Sequence, residues 1–143
     1  MGNEWKKKFS HDEMKDFLEL KYRQFNVPAF IKNDPVSVPH RYTVKQDIEI
    51  SGFLTAAISW GRRDLIVASA NRLLDMMGEN PWAFVMEAGD EDIDKVSRFY
   101  YRTFNGNDCT TFIRGLKNIY SRYNSMEEVL VKHMQKDIAG KSQ

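Results

Sequence analysis

Cysteine is almost missing from this chain: Cys109 is the only one among 143 residues. A single thiol excludes an intramolecular disulfide framework and any multi-cysteine zinc or iron–sulfur site. Long apolar runs are missing too. The longest stretch without charge, Ile50 to Gly61, falls well short of the ~20 residues a membrane-spanning helix needs, so no membrane partner is expected. Neither sign of charge dominates: 21 basic against 20 acidic side chains leave a net +1, which excludes a wholesale polycation. The N-terminus, Met1 to Lys8, is charged with no apolar stretch behind it, unlike a secretory signal. Gly2 has lysine where a myristoylation signal places Ser or Thr. Residues 1–9 read as a solvated basic tail, and the default compartment is the cytoplasm.

What is present suits a folded core. The chain is 42% hydrophobic and 13% aromatic, too apolar for a disordered segment. At 16.7 kDa one domain is expected, over residues 10–140, burying about 68% of its unfolded surface.

Helix signals run along the whole chain. Ser10-His-Asp-Glu13 is a capping box. Met14, Phe17, Leu18, Tyr22 and Phe25 follow at helical spacing, up to a stop near Asn26 set by Pro28. Pro28, Pro35 and Pro39 make residues 27–42 an extended, stiff surface crossing. Thr43-Val-Lys-Gln46 is a second capping box, opening a helix from Asp47 to Trp60 that is apolar around most of its circumference from Ile50 on. That helix is the expected central buried element. Ser51, Thr55 and Ser59 form a hydroxyl stripe on it, read either as bonds to carbonyls one turn back or as a polar groove for a ligand. After Gly61, Arg62-Arg63-Asp64 opens a helix with the core face Ile66, Ala70, Leu73, Leu74 and Met77, ended by Gly78. Asn80-Pro81 caps a short helix through Val85. Asp90 to Val96 is another, and Phe99 to Phe104 reads as a helix end running into a loop. Asn105-Gly106 is a turn signal. Asn107 or Asp108 then caps a long helix to Tyr123 with the core face Cys109, Phe112, Leu116, Ile119, Tyr120 and Tyr123. Ser125-Met-Glu-Glu128, a third capping box, opens the last helix, closed by Gly140. The expected fold is all-α: about seven helices in one orthogonal domain around the Ile50–Trp60 helix.

The chemistry-bearing residues are few. His11, His40 and His133 fall in separate segments without metal-ligand spacing, so no metal and no cofactor is expected. Cys109 lies on a core face, where a thiol acts as a small hydrophobe. The acids from Asp90 to Asp94 lack the glycine and glutamate of a calcium loop and suit a helix start. No phosphate loop, dinucleotide fingerprint or nucleophile elbow is present, and no catalytic residue is assigned.

Basic residues carry more information. From Arg98 to Tyr123 five of them, Arg98, Arg102, Arg114, Lys117 and Arg122, stand against one acid, Asp108. Arg114, Lys117 and Arg122 lie opposite the apolar face of their helix, and Arg62 and Arg63 form a second cluster. Such stripes can contact phosphates, and the outer face of any surface helix looks the same.

Two stretches carry a resemblance: Asn33-Asp-Pro-Val-Ser-Val-Pro-His-Arg-Tyr42 with Asp47 to Leu54 and Ser59-Trp-Gly-Arg62, and Arg102-Thr-Phe-Asn-Gly106. From about Met14 to Tyr123 the chain resembles an uncharacterised bacterial family defined only as a domain of unknown function. Members of that family are longer, which implies that this chain corresponds to their N-terminal part. They bear a distant likeness to helix-hairpin-helix DNA glycosylases, in which an apolar helix, a Ser-x-Gln-type turn and an amphipathic helix follow one another. Ile50 to Ser59, Trp60 to Arg63 and Leu65 to Met77 match that order. The glutamine, the glycine-rich hairpin and the segment bearing the catalytic aspartate have no counterpart here, so the likeness implies a scaffold without the chemistry.

Two functions follow as expectations. One is weak, non-specific DNA contact through Arg62, Arg63, Arg114, Lys117 and Arg122, with His40 and Arg41 bordering the groove. The other is a structural or protein-interaction domain that packs against a further, C-terminal half. A homo-oligomer through an apolar surface including Trp5, Trp82 and Phe99/Tyr100/Tyr101 is expected as well.

Overall fold

The computed structural model describes residues 9–140, with side chains through residue 134. They form eight α-helices: α1 (His11–Phe25), α2 (Pro28–Ile31), α3 (Lys45–Ala57), α4 (Arg63–Met77), α5 (Pro81–Glu87), α6 (Asp90–Ser97), α7 (Gly106–Tyr120) and α8 (Met126–Gly140). Two 3-10 turns, Pro35–Ser37 and Pro39–Arg41, lie between α2 and α3. The chain is all-α; among the described residues the only pairing of extended backbone is one isolated bridge, Tyr101 with Phe104. It divides into two units, Met1–Lys32 and Asn33–Gln143. Gly2 and Trp5 lie outside the described residues.

In the first unit, α1 opens on its expected capping box. The Ser10 hydroxyl accepts the Glu13 N–H at 3.2 Å and the Glu13 carboxylate accepts the Ser10 N–H at 2.8 Å. Those bonds favour the charged carboxylate and hold Glu13 below its ordinary pKa. The helix ends at Phe25 with Asn26 as its cap. No residue of α1 is buried.

Residues 27–42 are not the extended crossing the prolines suggest. Each of Pro28, Pro35 and Pro39 instead begins a short helical turn. Proline's fixed φ suits a first helical turn, where its missing N–H would have no partner anyway. Nor does the segment stay at the surface, because Val38 joins the core at 1% exposure.

The second unit is built around α3, which packs on both 3-10 turns, α4 and α5. Ile50, Leu54 and Ile58 are wholly buried. The helix is not covered all round: Ile48 and Phe53 remain exposed, and it ends at Ala57, so that Trp60, also exposed, lies beyond it. Absence of charge over 50–61 therefore marks the central helix without meaning burial all round. The core face of α4 is as its periodicity predicts, Ile66, Ala70, Leu73, Leu74 and Met77. In α7 the buried line is Cys109, Ile113, Leu116 and Tyr120, while Phe112 and Ile119 are only partly covered. Burial, and secondarily the Asp108 charge, push the Cys109 thiol up to about 12, so it is an inert hydrophobe.

The capping pattern departs from local expectation. Thr43 does not cap α3; Val44 holds that position without a side-chain bond. The start of α3 is turned to the α7–α8 connection instead. The Gln46 amide donates to the Asn124 carbonyl at 3.2 Å, and the Lys45 ammonium pairs with Glu127. Two carboxylates of α3 in turn serve later helices. Buried Asp47 accepts the Trp82 N–H at 2.8 Å, at the start of an α5 whose own cap residue, Asn80, makes no side-chain bond. Glu49 accepts the Tyr120 hydroxyl and the Met126 N–H, both at 2.8 Å, and the Glu127 N–H at 3.3 Å. α7 is capped by Asn105, two residues before Asn107 and three before Asp108. The Asn105 side chain accepts the Asn107 and Asp108 N–H groups, while Asp108 accepts that of Asn105 at 2.9 Å.

The hydroxyl stripe of α3 divides. Ser51 and Ser59 donate to the carbonyls of Ile48 (3.1 Å) and Thr55 (2.7 Å). The Thr55 hydroxyl is buried with no partner among the described residues. A buried hydroxyl left unpaired costs about 1–3 kcal/mol, and valine keeps its shape. Thr55→Val is therefore expected to stabilise the fold by about 1 kcal/mol, read from paired urea melts; a loss of stability would show that the hydroxyl is satisfied.

Candidate functional site

Backbone and side chains from two distant segments meet at the α3–α4 turn. Gly61 takes a positive φ of 115° there, which β-carbon-bearing residues rarely adopt. A β-carbon at Gly61 would also run into the Arg102 guanidinium and lie 3.2 Å from the Tyr101 hydroxyl. The neighbouring Trp60 carbonyl is gripped from the same side. Tyr101 donates its hydroxyl proton to it at 3.1 Å, and Arg102 an N–H at 3.4 Å.

Phe99 to Phe104 is not a helix end. Tyr101 and Phe104 exchange backbone bonds of 2.8 and 3.0 Å, closing a tight turn over Arg102 and Thr103. Phe99 and Phe104 pack edge to face, and Phe104 meets Phe112 of α7. Phe99 and Tyr101 thus belong to the core at 2% and 7% exposure, and among the described residues of the expected apolar surface Tyr100 and Trp82 are exposed. Arg102 has φ 57°, the one described non-glycine residue in the left-handed region. An arginine there stores strain of about 1 kcal/mol that glycine would avoid. Gly61, Arg62, Leu65, Tyr101 and Arg102 line an open cleft of about 560 Å³.

The sequence-derived basic residues separate around this cleft. Arg62 lines it and forms a two-pronged pair with Asp64, at 2.7 and 3.2 Å; that pairing raises the guanidinium pKa and lowers that of Asp64. Arg63, next in the chain, lies 3.6 Å from the Asp34 carboxylate. Arg41 pairs with Asp75 at 2.9 Å, close to the far end of α4, where Asp75 stands about 20 Å along the helix from Arg62 at about 1.5 Å per residue. His40 is exposed at the rim of a different, apolar cleft lined by Val36, Pro39, Tyr42 and Ile48. Arg114, Lys117 and Arg122 are exposed without an acidic partner among the described residues. Arg114 and Lys117 lie on α7, which ends at Tyr120 rather than Tyr123 and so leaves Arg122 in the turn beyond it. α7 packs on α5, α6 and α8, whereas α4 packs on α3, α5, α6 and the first 3-10 turn. Arg102 is the residue that sequence reading counted only as charge; its place in the second motif, after two aromatics, was the available signal.

Chemically, the cleft offers guanidinium groups on a rigid turn, beside exposed Trp60 and Leu65. Such groups bind phosphates and carboxylates. Among the described residues no group of three His, Cys, Asp or Glu side chains is placed to hold a metal ion, and no helix is long and apolar enough to cross a membrane.

Comparison with known proteins adds a family. The family described as "Protein of unknown function (DUF2400)" matches residues 34–142. That range coincides with the second structural unit, Asn33–Gln143, and begins later than the Met14 implied by the sequence resemblance. No curated protein and no solved structure matches the chain. Gly61 and Arg62, at the end of the first stretch behind that resemblance, and Arg102, at the start of the second, line one cleft inside the matched range, and by that match the chain belongs to the DUF2400 family of proteins of unknown function.

Proposed function

We propose that this domain contacts nucleic acid through phosphates at the Gly61 cleft, as a scaffold of the glycosylase-like kind that the sequence suggests. The observation that carries the reading is the strained arginine. Arg102 occupies a backbone conformation suited to glycine, and its guanidinium lies beside the Gly61 turn that also presents Arg62. Strain is retained where a side chain is used. The unpaired stripe of Arg114, Lys117 and Arg122 supplies further charge for a backbone-tracking contact.

A second reading, a structural helical domain, is favoured by the ion pairs. Arg41, Arg62 and Arg63 each have an acid of their own chain within reach, and exposed pairs of this kind hold helices in register at little gain.

Fluorescence anisotropy with a labelled duplex separates the two. Binding is expected in the non-specific range of about 10⁻⁴ to 10⁻⁶ M, weakening steeply with salt and without sequence preference. Arg62→Ala with Arg102→Gly should weaken it about tenfold at low salt. Glycine is at ease at φ 57°, so that variant should melt close to wild type. Binding undetectable at low salt, or indifferent to the double substitution, leaves the structural reading standing.

A further inference from the structure

The charge and apolar patterns of α1 point to a second copy of this chain as its partner, and we propose that two α1 helices pack antiparallel. Met14, Phe17, Leu18, Tyr22 and Phe25 follow one side of α1 and are all more than 40% exposed. A shallow groove of about 420 Å³ runs along this side, between His11, Met14, Lys15, Leu18, Glu19 and Tyr22. Single exposed apolar residues mean little, but a continuous stripe on a helix marks a docking face.

Charge selects the occupant. Asp12, Glu13, Asp16 and Glu19 stand against Lys15 alone in the first part of the helix, and Lys21 and Arg23 stand without an acid in the last. Such a helix complements itself only when reversed; a parallel copy sets acid on acid and base on base. Its net charge of −1 disfavours an anionic membrane or a nucleic acid as the occupant. A two-fold axis beside Leu18 sets Met14 level with Tyr22 of the second copy and brings Lys15 to within about 3 Å of level with its Glu19, on the same edge of the seam. The interface is isologous and closes on itself, so a dimer forms and no fibre. α1 lies outside the family match at residues 34–142, and the proposal is independent of the nucleic-acid reading.

Sedimentation velocity on the full chain from about 1 to about 200 μM tests it. A small two-helix interface is expected to give a dimer with a Kd in the micromolar range, at the weak end of specific association. Lys15→Glu and Glu19→Lys should each weaken the dimer about tenfold by setting like charges face to face, and the double reversal should restore it. Both side chains are exposed and outside the Ser10–Glu13 cap, so the variants fold. With copper phenanthroline as oxidant, Leu18→Cys should form an intermolecular disulfide and Lys15→Cys should not; Cys109 is fully buried and silent. A monomer at every concentration overturns the proposal. So does cross-linking at both positions, which would mean parallel helices, or a double reversal that fails to restore the dimer.

Discussion

Gly106→Ala is expected to destabilise the chain by about 3 kcal/mol, a fall in Tm of about 10 °C for a domain of this size. Gly106 is the first residue of α7 and is buried. Its α-carbon lies against the backbone of Ser97, the last residue of α6, and an added β-carbon would overlap the Ser97 carbonyl group. Backbone cannot rotate aside as a flexible side chain can, so α6 and α7 would have to separate. That contact is part of the α6–α7 packing that also buries Val96 and Cys109. The helix itself would gain from the change, since alanine propagates helix better than glycine by roughly 1 kcal/mol. The two effects oppose each other, and the steric one wins because the overlap is with a carbonyl. Thermal melts by circular dichroism check it; a Gly106→Ala chain melting within about 2 °C of wild type would show that the two helices can part at little cost.

Helix faces were legible in the sequence wherever one periodicity acted alone. In α4 every expected core residue is buried, because Ile66, Ala70, Leu73, Leu74 and Met77 recur on the helical period, although apolar Leu65 lies off that face and stays exposed. In α7 the aromatic side chains pulled the expected face toward Phe112 and Tyr123, and Ile113 was passed over. Phe112 spends its ring on Phe53 and Phe104 at the edge of the core, which periodicity does not register. The Phe99–Phe104 segment was misread because a turn without glycine gives no local signal: the positive φ falls on Arg102. What imposes it is non-local, namely the Trp60 carbonyl taken by Tyr101 and Arg102. The candidate site was therefore half legible. Arg62 announced itself beside a glycine, whereas Arg102 became visible only once the chain had brought residues forty apart into contact. Local capping rules met the same limit. They held at Ser10, whose partner is three residues away, and failed at Thr43, where Gln46 is engaged by Asn124.

Long-range capping also sets the second large effect, expected for Glu49→Ala. This one carboxylate accepts the Tyr120 hydroxyl and two N–H groups at the start of α8, tying α3 to the end of α7 and to α8. Charge-assisted bonds of this kind contribute about 1.5–3 kcal/mol each at most, and a hydroxyl left buried and unpaired adds a penalty. Helix α8 keeps part of its cap through Ser125, which accepts the Glu128 N–H at 3.1 Å, so the losses do not simply add. The expected cost is about 3 kcal/mol in urea unfolding near neutral pH, with Glu49→Gln, which keeps an acceptor but not the charge, losing about half as much. The same contact fixes an alkaline limit. Burial, then the Glu49 bond, push the Tyr120 hydroxyl well above its ordinary value of 10.0. The native chain therefore keeps a proton that the unfolded chain releases, so this stabilisation is complete below about pH 10 and is lost as pH rises beyond it. Tyr120→Phe, which cannot ionise, should flatten that decline, and Glu49→Ala should reduce it, both measured as unfolding free energy between about pH 8 and pH 11. A Glu49→Ala chain as stable as wild type would mean that α8 starts without help from α3. An unchanged alkaline slope in Tyr120→Phe would place the titrating group elsewhere, with the Cys109 thiol, raised to about 12, next to be replaced.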